Sequence, residues 1–206
     1  MSNEDYLKDI SEIKNLMNKS SRFISLSGLS GVLAGIYALI GAYIAYEVAY
    51  AYETVGYTEQ LVRSVRENVT ILLLDALGVL SLAIITGVVL SKRKAKKLGL
   101  VFWDKNAQQL VINLLIPLAV GGALAVIFYK EGYIKFVAPM TLIFYGLGLL
   151  NASYFTYRDI RLLGLSEILL GLIACVYTGY GLYFWAAGFG LLHIIYGVVM
   201  YYKYER

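Results

Sequence analysis

Long hydrophobic runs alternate along this chain with short clusters of charged residues. A helix needs about 20 apolar residues to cross the roughly 30 Å hydrocarbon core of a bilayer. The pattern therefore predicts an all-α integral membrane protein whose residues 23–206 form one domain of six transmembrane helices, arranged as three hairpins. The predicted spans are residues 23–46, 69–90, 108–129, 135–157, 162–180 and 183–202.

The segment before the first run, residues 1–22, has a different pattern. It carries both signs of charge, and Tyr6, Ile10, Ile13 and Met17 recur at helical spacing. This predicts a cytosolic amphipathic helix. It would lie on the membrane or on its own bundle, or it would dock a partner protein.

The composition agrees with a membrane domain and sets its predicted orientation. Of the 206 residues, 59% are hydrophobic and 16% are charged, which excludes an ordinary soluble domain. The net charge of +4 lies at the span ends, so it indicates topology rather than nucleic-acid binding. One set of alternate connections holds fourteen of the eighteen lysines and arginines. The positive-inside rule then predicts a multi-pass protein of the plasma (inner) membrane with both termini cytosolic.

The densest basic cluster follows the second span, at residues 91–97. It is predicted to anchor that end of the helix and is a candidate contact for anionic lipid headgroups. The basic residues concerned are Lys92, Arg93, Lys94, Lys96 and Lys97.

Small residues recur every four positions in the first span, at Ser27, Gly31 and Gly35. Such ridges allow two helix backbones to approach closely within a membrane. The ridge predicts either internal packing or a docking face for a second copy or a partner membrane subunit.

Polar side chains inside the predicted spans mark the candidate site. Glu167, His193, Asn113 and Asn151 are expected at similar depth in the cytosolic half of the membrane, with Tyr196 one turn after His193. Intramembrane ionisable groups are functional suspects because they are costly to bury. The cluster is either hydrogen-bonded packing or a ligand or proton site opening to the cytosol.

A further carboxylate, Asp75, is predicted in the outer half of the second span, and so apart from that cluster.

Two members of the cluster lie in a repeated sequence pattern. Residues 146–154 and 188–196 share the form Gly-x-Gly-Leu-Leu-polar-x-x-Tyr, with Asn151 in the position of His193. This suggests that the hairpins are internal repeats.

The remaining motifs mainly exclude chemistry. His193 is the only histidine, so a two-histidine metal or haem site is excluded, and we expect no cofactor. Neither a P-loop nor a Gly-x-Ser-x-Gly elbow is present, so an enzyme is the least favoured class. The favoured prediction is transport or binding of a small solute or ion. The alternative is a sensor, scaffold or effector subunit that acts through a protein partner.

Overall fold

The fold was obtained as a computed structural model that describes residues 22–50 and 60–206, with the side chains of 49–50 and 60–69 left aside. The amphipathic helix predicted for residues 1–22 therefore lies outside the described residues, apart from Arg22. The described residues form helices joined by short turns. These are α1 (Gly28–Tyr50), α2 (Gln60–Lys97), α3 (Lys105–Lys130), α4 (Val137–Ala152), α5 (Asp159–Val176), α6 (Gly181–Trp185) and α7 (His193–Tyr204), with a π-helical segment (Ala186–Leu192) joining α6 to α7 and 3₁₀ turns at Ile134–Phe136 and Ser153–Phe155.

The described residues confirm the all-helical class, and the length and apolar character of their helices are compatible with a membrane-embedded protein. Five of the described helical stretches are long and apolar enough to cross a membrane, among them the continuous Gly181–Tyr204, called the last span below. The helix α5 also has 18 residues, but three of them are charged, namely Asp159, Arg161 and Glu167, so it is not among the five. The predicted sidedness, the cytosolic termini and the plasma membrane remain predictions.

The first helix begins at Gly28, whereas the hydropathy pattern started the first span at Phe23. Residues 23–27 form no helix, and the backbone of Phe23 is instead hydrogen-bonded to another part of the chain. The Phe23 amide donates to the Phe155 carbonyl at 2.7 Å, and the Thr156 hydroxyl donates to the Phe23 carbonyl at 2.8 Å. Hydropathy does not reveal such bonds, since the segment is as apolar as the helix that follows it.

Helix packing places α1, α4, α5 and the last span at the centre of the bundle, and α2 and α3 at its edges. The helix α1 packs against both α2 and the last span, and α4 packs against both α3 and α5. The last span contacts α5 and closes the centre. The helices α1 and α2 are antiparallel. Ser27, just before α1, contacts Ser91 near the end of α2, whereas Gly41, further along α1, lies beside Asp75, which comes earlier in α2. The helices α2 and α3 bury little of their surface and present most of it outward.

Glycines permit the closest helix approaches. A Cβ at Gly146 would lie 2.6 Å from the Gly164 carbonyl, and a Cβ at Gly164 would lie 2.7 Å from the Gly146 carbonyl. The same reciprocal contact joins α1 to the last span, where a Cβ at Gly197 would lie 2.7 Å from the Gly28 carbonyl. Backbone-to-backbone contact of this kind is how small residues hold membrane helices together.

A polar network closes one end of the bundle. The Lys94 ammonium lies 3.4 Å from the Glu205 carboxylate and donates to the Leu26 carbonyl at 2.8 Å. Glu205 also accepts from the amide of Gly28, the first residue of α1. The Tyr157 hydroxyl donates to the carbonyl oxygen of Ile24. Burial and, to a smaller extent, the nearby Glu205 charge raise the pKa of this hydroxyl to about 12. The network joins the start of α1, the end of α2 and the end of the last span.

Candidate functional site

The site is built around Glu167, which faces the middle of the bundle from α5. Its side chain is completely buried, with an exposed fraction of 0%. Neither carboxyl oxygen has a hydrogen-bond partner among the described residues. Leaving such a group unpaired in an apolar interior is costly, so it requires an explanation.

The closest polar neighbour of Glu167 is His193 on the last span. The distance from Glu167 Oε1 to His193 Nδ1 is 3.4 Å, and His193 is itself only 7% exposed. The His193 ring is held by two other groups. Nδ1 lies 3.0 Å from the carbonyl oxygen of Gly188, and Nε2 lies 2.7 Å from the hydroxyl of Tyr145.

These contacts assign the proton on the neutral imidazole. A carbonyl oxygen can only accept, so Nδ1 carries the hydrogen and donates it to Gly188. Nε2 is then the acceptor for the Tyr145 hydroxyl. This arrangement uses both ring nitrogens of His193 and leaves the Glu167 carboxyl beside the ring but outside the hydrogen-bond chain.

Aromatic rings and a glycine enclose the pair. The rings of Tyr145 and Phe189 lie with centroids 5.0 Å apart, and Phe189 stacks on His193 at 5.9 Å. A Cβ at Gly188 would lie 2.5 Å from Glu167 Oε2, so only glycine leaves space for the carboxyl group. Both ionisable side chains are enclosed by packing, so access from either side of the membrane requires helices to move.

The backbone at this point is irregular. Residues Ala186–Leu192 form a π-helix, which contains Gly188 and ends directly before His193. Such segments are rare, because their hydrogen bonds run to the fifth residue along the helix, and they occur often at functional sites. The carbonyl that accepts from His193 Nδ1 belongs to this segment.

The pair can hold a proton in two ways. In one form the carboxyl of Glu167 is protonated and the imidazole of His193 is neutral. In the other the additional proton is on Nε2 of the imidazole, which then donates to the Tyr145 hydroxyl, and a carboxylate lies beside an imidazolium at 3.4 Å. Both forms are electrically neutral overall. Removing the proton altogether leaves an uncompensated buried carboxylate, which is the state that a cation would stabilise.

The other predicted site residues lie outside this contact. The Asn113 amide group donates to the Gln109 carbonyl at 2.8 Å on its own helix, and Asn151 is exposed at the end of α4. Tyr196 is half-buried and packs against the apolar cluster around Leu149. The structure thus brings together Glu167 and His193 and leaves these three apart from them.

Asp75 lies on α2, where a Cβ at Gly41 would be 3.1 Å from its Oδ2. Its contact is therefore with α1, and α2 packs against α1 at an edge of the bundle. The small-residue ridge of α1 faces the last span. A Cβ at Gly31 would lie 3.3 Å from Gly197 Cα, and one at Gly35 would lie 2.6 Å from the Gly190 carbonyl.

The basic run after the second span is not uniform. Lys94 belongs to the polar network with Glu205, and its side chain is 10% exposed. The other basic members are exposed on the surface of α2: Lys92, Arg93, Lys96 and Lys97. Contact with anionic lipid remains a prediction for these exposed residues.

Sequence reasoning did not include Tyr145 or Gly188 in the site. Tyr145 is one of nineteen tyrosines, most of which suit a membrane boundary equally well. Gly188 stood at the start of the echoed Gly-x-Gly pattern, but that pattern did not indicate which glycine faces a carboxyl group. The two residues are 43 positions apart, and only the packing of α4 on the last span brings them to one site.

The fold and the site together define a helical protein with helices of membrane-spanning length and a central buried carboxyl group that has no hydrogen-bond partner among the described residues. No family model, curated protein or solved structure matches the chain.

Proposed function

We propose that this protein transports or binds a small solute or ion, and that the Glu167–His193 pair binds and releases a proton in that process. The observation that carries the proposal is the carboxyl of Glu167, 0% exposed and without a hydrogen bond among the described residues. A polar group that served only to join helices would use its hydrogen bonds for that purpose. Those of Glu167 are unused.

The electrostatics of the pair support a coupled exchange. While the pair holds its proton, the site is neutral overall and tolerates an apolar interior. When the proton leaves, a carboxylate remains that favours a cation or a positively charged solute in its place. Exchange of a proton for such a ligand is the elementary step of a proton-coupled transporter.

Movement of the last span supplies a route for access. The π-helical segment before His193 differs from an α-helix by one residue in its hydrogen-bond spacing. A return of this segment to α-helical bonding would rotate His193 relative to Glu167.

The first test measures protonation of Glu167 without knowledge of the solute. Infrared difference spectra of the protein in lipid, recorded as the pH is changed, show the carbonyl stretch of protonated carboxylic acids. We expect one such band from the carboxyl group of Glu167, and we expect Glu167→Gln to remove it. Glu131→Gln, at an exposed turn, is the matched control and should leave the band unchanged. An identical spectrum for Glu167→Gln would contradict the assignment.

The second test measures flux. Proteoliposomes that contain a pH-sensitive dye are subjected to a pH gradient, alone and with candidate cations outside. Glu167→Gln and His193→Ala should lower proton movement relative to the wild-type protein and Glu131→Gln. Wild-type flux in both variants, with normal folding, would indicate that the pair is structural.

One further observation bears on the alternative, action through a protein partner. The ridge at Gly31 and Gly35, a candidate docking face, is covered by the last span of the same chain. A partner that docked through this ridge would first have to displace that span. Transport or binding at the central pair requires no such displacement.

A further inference from the structure

A second polar site lies at the end of the bundle where α4 ends and α5 begins. A pocket of about 470 Å³ opens there. Its wall includes three arginines from two separate parts of the chain. Arg22 precedes the non-helical residues 23–27, and Arg158 and Arg161 lie at the start of α5. The pocket is independent of the Glu167–His193 pair, since none of its lining residues belongs to that site.

Within the part of the chain that the structure describes, no carboxylate neutralises the arginines of the pocket. In residues 22–50 and 60–206, none of the three guanidinium groups forms an ion pair with a carboxylate. Asp159 is the one acidic residue of the lining, and it is directed to other partners. Its carboxylate lies 2.9 Å from the Lys203 ammonium and accepts from the Tyr204 hydroxyl at 2.6 Å. An excess of positive charge therefore faces the pocket.

Besides the charged residues and the buried Ser153, the wall is formed by two outward-facing side chains, Tyr154 and Leu162. Tyr154 is 70% exposed and Leu162 is 54% exposed. Leu162 lies in the first turn of α5, next to Arg161, so a cationic group and an apolar group adjoin at the boundary of the predicted span. An occupant that fits this wall has an anionic group and an apolar body next to it.

We infer that this pocket binds the phosphate group of an anionic phospholipid through Arg22, Arg158 and Arg161, with the lipid body against Tyr154 and Leu162. Guanidinium groups match phosphate oxygens by paired hydrogen bonds, and arginine is the side chain best suited to this role. The first amides of α5 do not compete with them as donors. The Ile160 amide donates to Tyr157, and the Arg161 amide donates to Arg158.

The pocket differs in kind from the basic run on α2. Lys92 and Arg93 are exposed on a helix surface and lie outside this pocket. Their attraction for a membrane is therefore diffuse and depends mainly on charge. Three arginines that line one pocket place their donors around a single occupant, so binding there depends on geometry as well as charge. This difference gives the test its control.

The experiment is a titration of the whole protein, extracted in neutral detergent, with phosphatidylglycerol or phosphatidylcholine, read by native mass spectrometry. We expect retention of one phosphatidylglycerol molecule by the wild-type protein and by the control Lys92→Gln/Arg93→Gln. The double variant Arg158→Gln/Arg161→Gln removes the same charge from the pocket and should weaken binding at least tenfold. Equal loss in the two double variants would show diffuse attraction and overturn the pocket assignment.

Two additions keep the result decisive. Arg161→Lys retains the charge but not the paired donors, so it should also weaken binding. The fold should be unchanged, because the side chain is exposed. Full binding by Arg161→Lys would contradict the geometric argument. Inorganic phosphate, titrated calorimetrically, separates the two sources of the same chemistry. Binding of phosphate without binding of phosphatidylglycerol would overturn the lipid as occupant.

Discussion

Substitution of Gly188 by alanine tests whether the carboxyl of Glu167 is as tightly enclosed as the structure shows. The added methyl group would lie 2.5 Å from Glu167 Oε2 and 2.5 Å from Leu142 Cδ2. Both distances are well inside van der Waals contact. Either Glu167 and Leu142 must move, or α5 and the last span must separate.

The expected magnitude follows from two opposing effects. Overpacking a close-packed interior costs typically about 1–3 kcal/mol. Replacing a helical glycine by alanine gains about 0.5–1 kcal/mol through backbone entropy. Gly122→Ala is the matched control, because an added Cβ there meets no atom within 4 Å. The propensity gain is common to both variants, so Gly188→Ala should be less stable than Gly122→Ala by about 1–3 kcal/mol.

The assay is reversible unfolding in mixed micelles with increasing dodecyl sulfate, followed by circular dichroism. A double-mutant cycle with Glu167→Ala isolates the contact, because truncation of the glutamate removes one of the two groups that the new methyl group meets. The cost of Gly188→Ala should therefore be smaller in the Glu167→Ala background.

Two results would refute this reasoning. Equal stabilities of Gly188→Ala and Gly122→Ala would show that the interior at Gly188 is not close-packed. An unchanged cost in the Glu167→Ala background would show that the carboxyl group does not occupy the space beside Gly188.

Three further changes test other parts of the structure. Gly197→Ala should destabilise the protein by about 1–3 kcal/mol in the same titration, because the methyl group meets backbone atoms of α1, whereas Gly87→Ala, with no atom within 4 Å, should not. Glu205→Ala should cost about 1–3 kcal/mol, because it leaves the first amide of α1 without its acceptor and removes the carboxylate beside the largely buried Lys94 ammonium, and wild-type stability would contradict the network. Burial raises the pKa of Asp159, but hydrogen bonds from Tyr204 and Lys203 outweigh it and hold that pKa below its ordinary value of 3.8. The resulting stabilisation is present above pH 3.8 and is lost as the pH falls through the lower pKa of the folded protein, so the deficit of Asp159→Asn should shrink in that acid range, and a deficit independent of pH would contradict the ion pair.

Much of the fold follows from the sequence because lipid restricts the options. Apolar runs of span length must be helical to satisfy their backbone groups, so the hydropathy pattern alone locates most of the helices. The pattern could not place the start of α1. Residues 23–27 are apolar enough to belong to the span. They are not helical, because Phe155 and Thr156 provide hydrogen-bond partners for the backbone of Phe23.

The candidate site could be predicted only in part. Depth along each helix correctly suggested that Glu167 and His193 lie within reach of one another, because depth depends only on rise per residue. Depth does not specify which way a side chain faces. Asn113 and Asn151 lie at similar predicted depth, yet one bonds to its own helix and the other is exposed. The rotation of each helix is set by packing, chiefly by the glycine contacts.

The contacts between α1 and the last span have a consequence for biosynthesis. The Gly28 amide and its Glu205 acceptor are 177 residues apart in sequence. A ribosome that inserts the spans in order must complete nearly the whole chain before α1 acquires its helix cap and the partner for its glycine face. Contacts so distant in sequence form slowly. We therefore expect the glycine face of α1 to stay uncovered during synthesis, even after α2 has packed beside it, and to remain open to insertion chaperones or membrane proteases until the last span arrives.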